Sequence, residues 1–417
     1  MTTHRTRSHV VRSALASRAS RQSALHLGAQ ITAAALGLVI AVLLARALGV
    51  QGFGIYAVLV GYFTFSSVFF DFGIPIATKR LLAVTPDTGG GSSLVAAGFI
   101  GALCIGCVYV LFVYATLPLV ALWIDAETSG ILLVTAPLAV AFPLQEMTLS
   151  TSQGLNRIKV LASMLVVPRV LMLAALLVLW RAGMLTPLTA GLTYPGGILV
   201  GVLLLLPALR PSREHLRTSL TALRAEVRAF GRHTYMGRVF DGLTNGFDRM
   251  LIARYAGAAS VGMYSIAATM SQPLGMVGRA TTASAYRDMA TASAMPRRLL
   301  LVNIVWATLG GIVLVALCMV LIPVFFTAKY DGALALLPLV AGGIALASVN
   351  EPFHAYFSSH GAGRILRTLS IVTSSLNVGL MFVLIPWLGA AGAALALIAS
   401  GALNLVMNLR YYMRRQA

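Results

Sequence analysis

A chain of 417 residues that is 58% hydrophobic and only 10% charged has too little polar surface to cover a soluble globule of its size, so composition places it in a bilayer. The formal charge of +19 would point to nucleic acid in a soluble protein, but here the basic residues fall between apolar runs, where charge sets topology. Nucleic acid is excluded as a partner on that ground, and three cysteines inside apolar segments exclude a disulfide framework.

The chain opens on MTTHRTRSHVVRSALASRASRQS, residues 1–23, a basic segment with no small-residue cleavage site at its end. That predicts a retained cytoplasmic tail rather than a removed signal peptide. Apolar runs long enough to cross about 30 Å of hydrocarbon follow at 24–45, 53–74, 92–117, 131–150, 160–180 and 188–207. Six more lie at 234–253, 259–280, 299–325, 332–355, 366–387 and 389–409. The expected fold class is therefore an all-α integral membrane protein of about 12 transmembrane helices. Its expected domains are the tail 1–23, a six-helix bundle 24–207, a linker 208–232, a second bundle 233–409 and a tail 410–417.

The positive-inside rule tests this count, because a missed helix would scramble the sides on which Lys and Arg fall. Of 31 basic residues, 23 fall on the side of the N-terminus, among them Lys79, Arg80, Arg157, Lys159, Arg364 and Arg367. Only Arg46, Arg181, Arg254 and Lys329 fall on the other side, which predicts a bacterial cytoplasmic membrane protein with both termini cytoplasmic. The linker carries Leu216, Leu220, Leu223, Val227 and Phe230 at helical spacing, with its arginines largely off that stripe. It reads as an amphipathic helix on the inner leaflet.

Two short stretches invite other chemistry. Cys104 and Cys107 form C-x-x-C within one span, but no second pair or nearby His completes a metal site, so they read as packing residues and no metal is expected. In LLARALGVQGFGIYA, residues 43–57, Gly49, Gly52 and Gly54 have the spacing G-x-x-G-x-G between two spans. A dinucleotide loop needs G-x-G-x-x-G between a strand and a helix.

The second stretch instead has a partner 208 residues on, LIARYAGAASVGMYS at 251–265. Leu43, Ala45, Arg46, Gly49, Gly54 and Tyr56 recur there as Leu251, Ala253, Arg254, Gly257, Gly262 and Tyr264. SQGLNRI at 152–158 recurs as SHGAGRI at 359–365, at an offset of 207. Two motifs at nearly one offset predict a six-plus-six duplication. Because six helices separate the copies, the halves are expected to be related by a pseudo-two-fold axis along the membrane normal. Gly49 and Gly54 then read as a tight outward turn and a close helix approach.

The pattern A-R-x-L-G-x-x-x-F-G-x-Y-A at Ala45–Ala57, the F-G-I-P-I-A-T-K-R of residues 72–80 and D-R-M-L-I-A-R-Y-A-G-A-A-S-V-G-M-Y-S at Asp248–Ser265 resemble the polysaccharide-transport (Wzx-like) flippases. These belong to the multidrug/oligosaccharidyl-lipid/polysaccharide exporter superfamily. The resemblance covers nearly the whole chain in span number and order. It implies export of an undecaprenyl-diphosphate-linked oligosaccharide from the cytoplasmic to the outer leaflet, through a partly cationic cavity. Membrane lipids are implied partners, with a glycan polymerase or export machinery beside them, and no cofactor is implied.

Charged residues inside spans locate the cavity, since each costs about 2.5–3.5 kcal/mol on insertion scales unless paired or wetted. Thr234, Arg238, Asp241, Asn245 and Asp248 are spaced to share one face of the seventh helix, facing a hydrated interior or pairing internally through Arg238 and Asp241. Gln30, on the polar stripe of the first span with Ser23 and His26, matches Arg238 at the 208 offset. The expected substrate contacts are Arg238, Arg169, Arg279, Asn245 and Gln30, with arginine suited to diphosphate by its forked, permanent charge. Glu146 and Arg169 read either as an interhelical ion pair or as substrate contacts. Asp241, Asp248 and Glu351 are the carboxylates expected to couple ions, and Pro143 and Pro352 mark expected helix interruptions.

An ion-coupled drug or small-solute antiporter on the same scaffold is the alternative. An enzyme is not expected, because the outward loops are short and D-T-G-G-G-S-S at 87–93 lacks the lysine of a phosphate loop.

Overall fold

The computed structural model describes residues 3–85, 90–231, 235, 238–239, 242, 244, 246–291 and 294–416, and these are helical throughout apart from short turns. Helices satisfy every backbone group within one segment, which hydrocarbon demands. Nine candidate spans lie among the described residues. One of them, Ala24–Phe70, is 47 residues long, about 70 Å at the helical rise and twice a bilayer. It covers most of α1 (Thr3–Ser67) and the 3-10 turn Val68–Phe70 that follows, and α1 breaks at Gly49 (φ 70°, ψ −176°), which divides the span into two crossings. The eighth expected span lies in α9 (Phe247–Thr291), which breaks in the same way at Gly257 (φ 79°, ψ 166°). Left-handed φ strains any residue with a Cβ, so these paired glycines are where each half can turn.

Between them run α2 (Ile74–Val84), α3 (Gly90–Trp123), α4 (Ala126–Thr135), α5 (Ala141–Gly154), α6 (Ile158–Arg181), α7 (Pro187–Leu205) and α8 (Leu216–Glu226). Asp125 caps α4 by accepting the Thr128 N–H at 2.6 Å, and Thr186 with Thr189 forms a reciprocal capping box for α7. After α9 come α10 (Arg297–Val305), α11 (Gly311–Phe326), α12 (Gly332–Ser359), α13 (Gly363–Leu388) and α14 (Ala390–Gln416). The interruption expected at Pro143 lies earlier, in a 3-10 turn over Ala136–Val140, and α12 runs unbroken through both Pro338 and Pro352. Neighbouring helices and local hydrogen bonding let membrane helices keep proline without a break.

The largest core cluster joins the two halves. Leu44, Phe53 and Val58 of α1 pack with Leu251, Val261 and Tyr264 of α9 and with Ile322, Phe326 and Tyr330. A Cβ on Gly54 would overlap the Ala258 carbonyl, while one on Gly262 would lie 2.8 Å from the Val50 carbonyl oxygen. Ala258 is the 208-offset counterpart of Val50. The two turns therefore touch reciprocally, each glycine against the other half's backbone. Arg46 adds hydrogen bonds to the carbonyl oxygens of Phe325 (2.6 Å) and Val324 (2.7 Å), and the Tyr330 hydroxyl donates to Ala45 O at 3.1 Å. Replacing Arg46 with Gln is expected to lower stability by about 1 kcal/mol, since the guanidinium is exposed, and thermal unfolding in detergent will measure it.

At the other end, which carries Lys79, Arg80, Arg157, Lys159 and Arg210 and is called here the basic end, α8 does more than lie on a leaflet. Its Ser219 hydroxyl is 2.8 Å from that of Ser93, and Leu223 is buried against Ala77 of α2 and Ala97 of α3. Arg80 pairs with Glu226 at 2.8 Å and lies 4.5 Å over the Phe230 ring. The apolar stripe of the linker thus faces the first half, with Leu220 left half-exposed.

Candidate functional site

The polar groups inside the spans gather in two places. The first is central, where α1, α6, α7 and α9 meet. Arg169 of α6 and Arg249 of α9 both lie within electrostatic reach of the Tyr56 and Tyr194 hydroxyls. Gly61 makes room for the Arg249 stem, since a Cβ there would lie 3.0 Å from Arg249 Cβ and 3.1 Å from Cδ. Arg249 Nε is buried without a hydrogen-bond acceptor among the described residues. Arg169 spends one Nη on the Leu165 carbonyl of its own helix, at 2.6 Å. Neither guanidinium has a carboxylate within salt-bridge distance among the described residues, although Asp248 is next in the chain. Asp248 instead accepts the backbone N–H of Arg249 at 2.8 Å and faces the Tyr264 hydroxyl.

Two guanidinium groups and two phenols thus come together where these helices meet. Arginine presents a planar fork of donors that matches phosphate oxygens, and the tyrosines add neutral donors.

The second place is near the basic end. Arg238 Nη2 donates to Glu146 Oε1 of α5 at 2.7 Å, and Nη1 stands 2.9 Å from Asp71 Oδ2 as an ion pair. Asp71 follows the second crossing, and its Oδ1 accepts the Gly73 N–H at 3.2 Å. Tyr235 reinforces the junction, donating to Phe69 O at 2.9 Å and stacking on Phe72 at 5.6 Å. One cation from the second half is thus held by two anions from the first.

Glu146 therefore pairs with Arg238 rather than with Arg169, because Arg169 is turned toward the centre. The expectation that the seventh span is one straight polar helix also fails. Gly246 has φ 86° and breaks it, in a place where a Cβ would overlap the Gly61 carbonyl of α1. Backbone contact at that crossing needs a residue without a side chain, so Arg238 and Asp248 do not share one helical face.

Among the other expected residues, Gln30 is exposed on α1 and bonds His26 Nε2 at 3.0 Å. Arg279 is exposed, its guanidinium folded back toward Gly275 one turn earlier on α9. Glu351 is half-buried on α12 and makes no hydrogen bond or ion pair among the described residues. Thr234, Asp241 and Asn245 lie outside the described residues. Beside Glu351, a buried amide chain links Asn350, Asn404 and Asn408, with Asn408 Nδ2 donating to Asn350 Oδ1 at 2.9 Å.

Sequence reasoning assigned no role to Asp71, Tyr56, Tyr194 or Arg249. Asp71 immediately precedes the quoted F-G-I-P stretch, near the end of the second expected span. Tyr56 recurs as Tyr264, which was the available signal for it.

Matched glycine reversals and helix order define a multi-pass membrane protein, and its fold is similar to that of solved MOP-superfamily transporters. A solved lipid II flippase MurJ, in an inward closed conformation, is similar with a TM-score of 0.74 at 14% identity, over 93% of this chain and 87% of that one. An inward-facing multidrug resistance MATE family transporter of the MOP superfamily gives 0.70 at 14% identity, over 94% and 99%. An outward-facing one gives 0.58 at 15% identity, over 95% of each chain. No curated protein matches the chain. The profile of the polysaccharide biosynthesis protein family matches residues 20–286, well over half of the sequence, and the chain belongs to that family.

Proposed function

We propose that this protein is a flippase that moves an undecaprenyl-diphosphate-linked oligosaccharide from the cytoplasmic to the outer leaflet for surface polysaccharide synthesis. The observation that carries this reading is the pair Arg169 and Arg249, two guanidinium groups inside the spans with no carboxylate partner among the described residues. Arg169 is exposed and Arg249 half-buried; cations inside a bundle without a carboxylate partner need water or a bound anion, and a diphosphate would neutralise them. The lipid tail stays in the bilayer while the sugar-diphosphate crosses through the hydrated interior.

The cycle is alternating access of two six-helix bundles, 24–207 and 233–409, with the basic end cytoplasmic. The Gly54/Gly262 contact closes one end and the Arg238 bridge the other. Greater likeness to inward than to outward relatives supports a chain closed at the end opposite the basic one. Likeness to a multidrug transporter, together with Asp248, supports the second reading, an ion-coupled drug or small-solute antiporter.

Reconstituted vesicles carrying a labelled undecaprenyl-diphosphate glycan test the two readings directly. Wild type is expected to expose the label, and Arg249→Gln to slow it by about tenfold, the effect of one charge-assisted contact. Ion-driven efflux of a cationic dye without glycan movement would replace the flippase by the antiporter. In cells, deletion of the gene is expected to trap the lipid-linked glycan on the cytoplasmic side.

A further inference from the structure

We infer that a cleft at the basic end of the first half, separate from the central arginines, binds the phosphate head group of an anionic membrane lipid. The cleft encloses about 960 Å³ between the start of α1, the turn into α6 and the end of α7. Arg157, Lys159 and Arg210 line it together with Leu25, Ile158 and Pro207, and no carboxylate lines it among the described residues.

Its level in the bilayer follows from the spans. Ala24–Phe70 and Ile158–Arg181 begin beside it and Pro187–Leu209 ends beside it, so it lies where hydrocarbon gives way to head groups. Its construction holds the cations together against their mutual repulsion. Asn156 and Arg210 both adopt left-handed backbone, each at φ 51°, which turns the two chain segments toward one another. An Arg157 Nη donates to the Ala208 carbonyl and ties the α5–α6 turn to the end of α7. Arg157 is also the N-cap of α6, and no side chain caps that terminus, so the partial positive charge of a 24-residue helix adds to the three side chains.

Three cations, a helix N-terminus and an apolar wall on which Leu25 is 45% exposed suit a lipid better than a free anion. Phosphate meets the forked donors, and a chain lies along Leu25 and Ile158. The same chemistry fits a glycerophospholipid of the surrounding bilayer or a polyprenyl diphosphate waiting outside the lumen. The inference does not depend on transport.

Native mass spectrometry of the full chain in detergent, titrated with phosphatidylglycerol, undecaprenyl diphosphate, phosphatidylcholine or inorganic phosphate, tests it. Wild type is expected to retain an anionic lipid over phosphatidylcholine. The variant R157Q/K159Q/R210Q is expected to lose about a hundredfold in affinity, about 3 kcal/mol for three cations. Retention of phosphatidylglycerol alone assigns the site to bilayer lipid, and retention of undecaprenyl diphosphate alone assigns it to the carrier. Equal retention of phosphatidylcholine, or displacement by inorganic phosphate at matching concentration, overturns the inference in the wild-type protein without any variant. Unchanged affinity in K159Q and in the triple variant, each with wild-type thermal unfolding, overturns it as well.

Discussion

Replacing Arg238 with alanine is expected to open the basic end of the bundle and slow transport by tenfold or more. Asp71 and Glu146 would be left facing each other without their shared cation, and Asp71, with a side chain only 6% exposed, has little water to compensate. A buried polar group losing its partner costs about 1–3 kcal/mol, and a charged one more. At about 1.4 kcal/mol per factor of ten, that shifts a two-state equilibrium by about fivefold to a hundredfold or more. Spin labels placed on the two halves at this end will read the opening as a longer distance. The two anions are not equivalent, because Glu146 is 36% exposed and can be hydrated when released. Asp71→Asn is therefore expected to disturb the distance more than Glu146→Gln, and the reverse order would place the bridge's strength in the wrong carboxylate. Arg238→Lys keeps the charge but loses the fork that reaches both acids, so an intermediate effect is expected.

This bridge shows where sequence reasoning reached and where it stopped. Apolar run length located most of the spans, because hydrocarbon thickness fixes how long a crossing must be. Arg238 was legible as a residue that must be paired or wetted, since lipid punishes any other arrangement. Its partners were not, because Asp71 and Glu146 lie 167 and 92 residues away and only tertiary packing brings them near. The Glu146–Arg169 ion pair, one of the two readings of those residues, is replaced by Glu146–Arg238 for the same reason. The break at Gly246 was hidden by a residue pattern with good helical spacing, and only the Gly61 backbone crossing it explains why a continuous helix does not fit there. Gly49 and Gly257, by contrast, were legible because repetition at a fixed offset marks a backbone requirement twice.

That repetition also sets up the tightest glycine contact among the described residues. Gly54→Val is expected to abolish transport while leaving insertion intact, because its Cβ would occupy the position of the Ala258 carbonyl in the other half. The clash is with backbone, so no rotamer relieves it, and the halves must separate at this end. Glycine position alone does not predict such an effect. A Cβ on Gly37 meets nothing within 4 Å, and because it lies within a helix Gly37→Ala is expected to be neutral or to add up to about 1 kcal/mol of stability. Gly49 also has open space around it but holds φ at 70°, so Gly49→Ala is expected to cost about 1 kcal/mol through backbone strain alone. Gly54→Ala carries the same overlap as valine with less bulk, and transport is expected to fall by tenfold or more rather than vanish. If the reversal at Gly49 were the only requirement, Gly49→Ala would slow glycan movement more than Gly54→Ala. The contact between the halves predicts the opposite order, and flipping rates of the three alanine variants in the same vesicles will decide between the two.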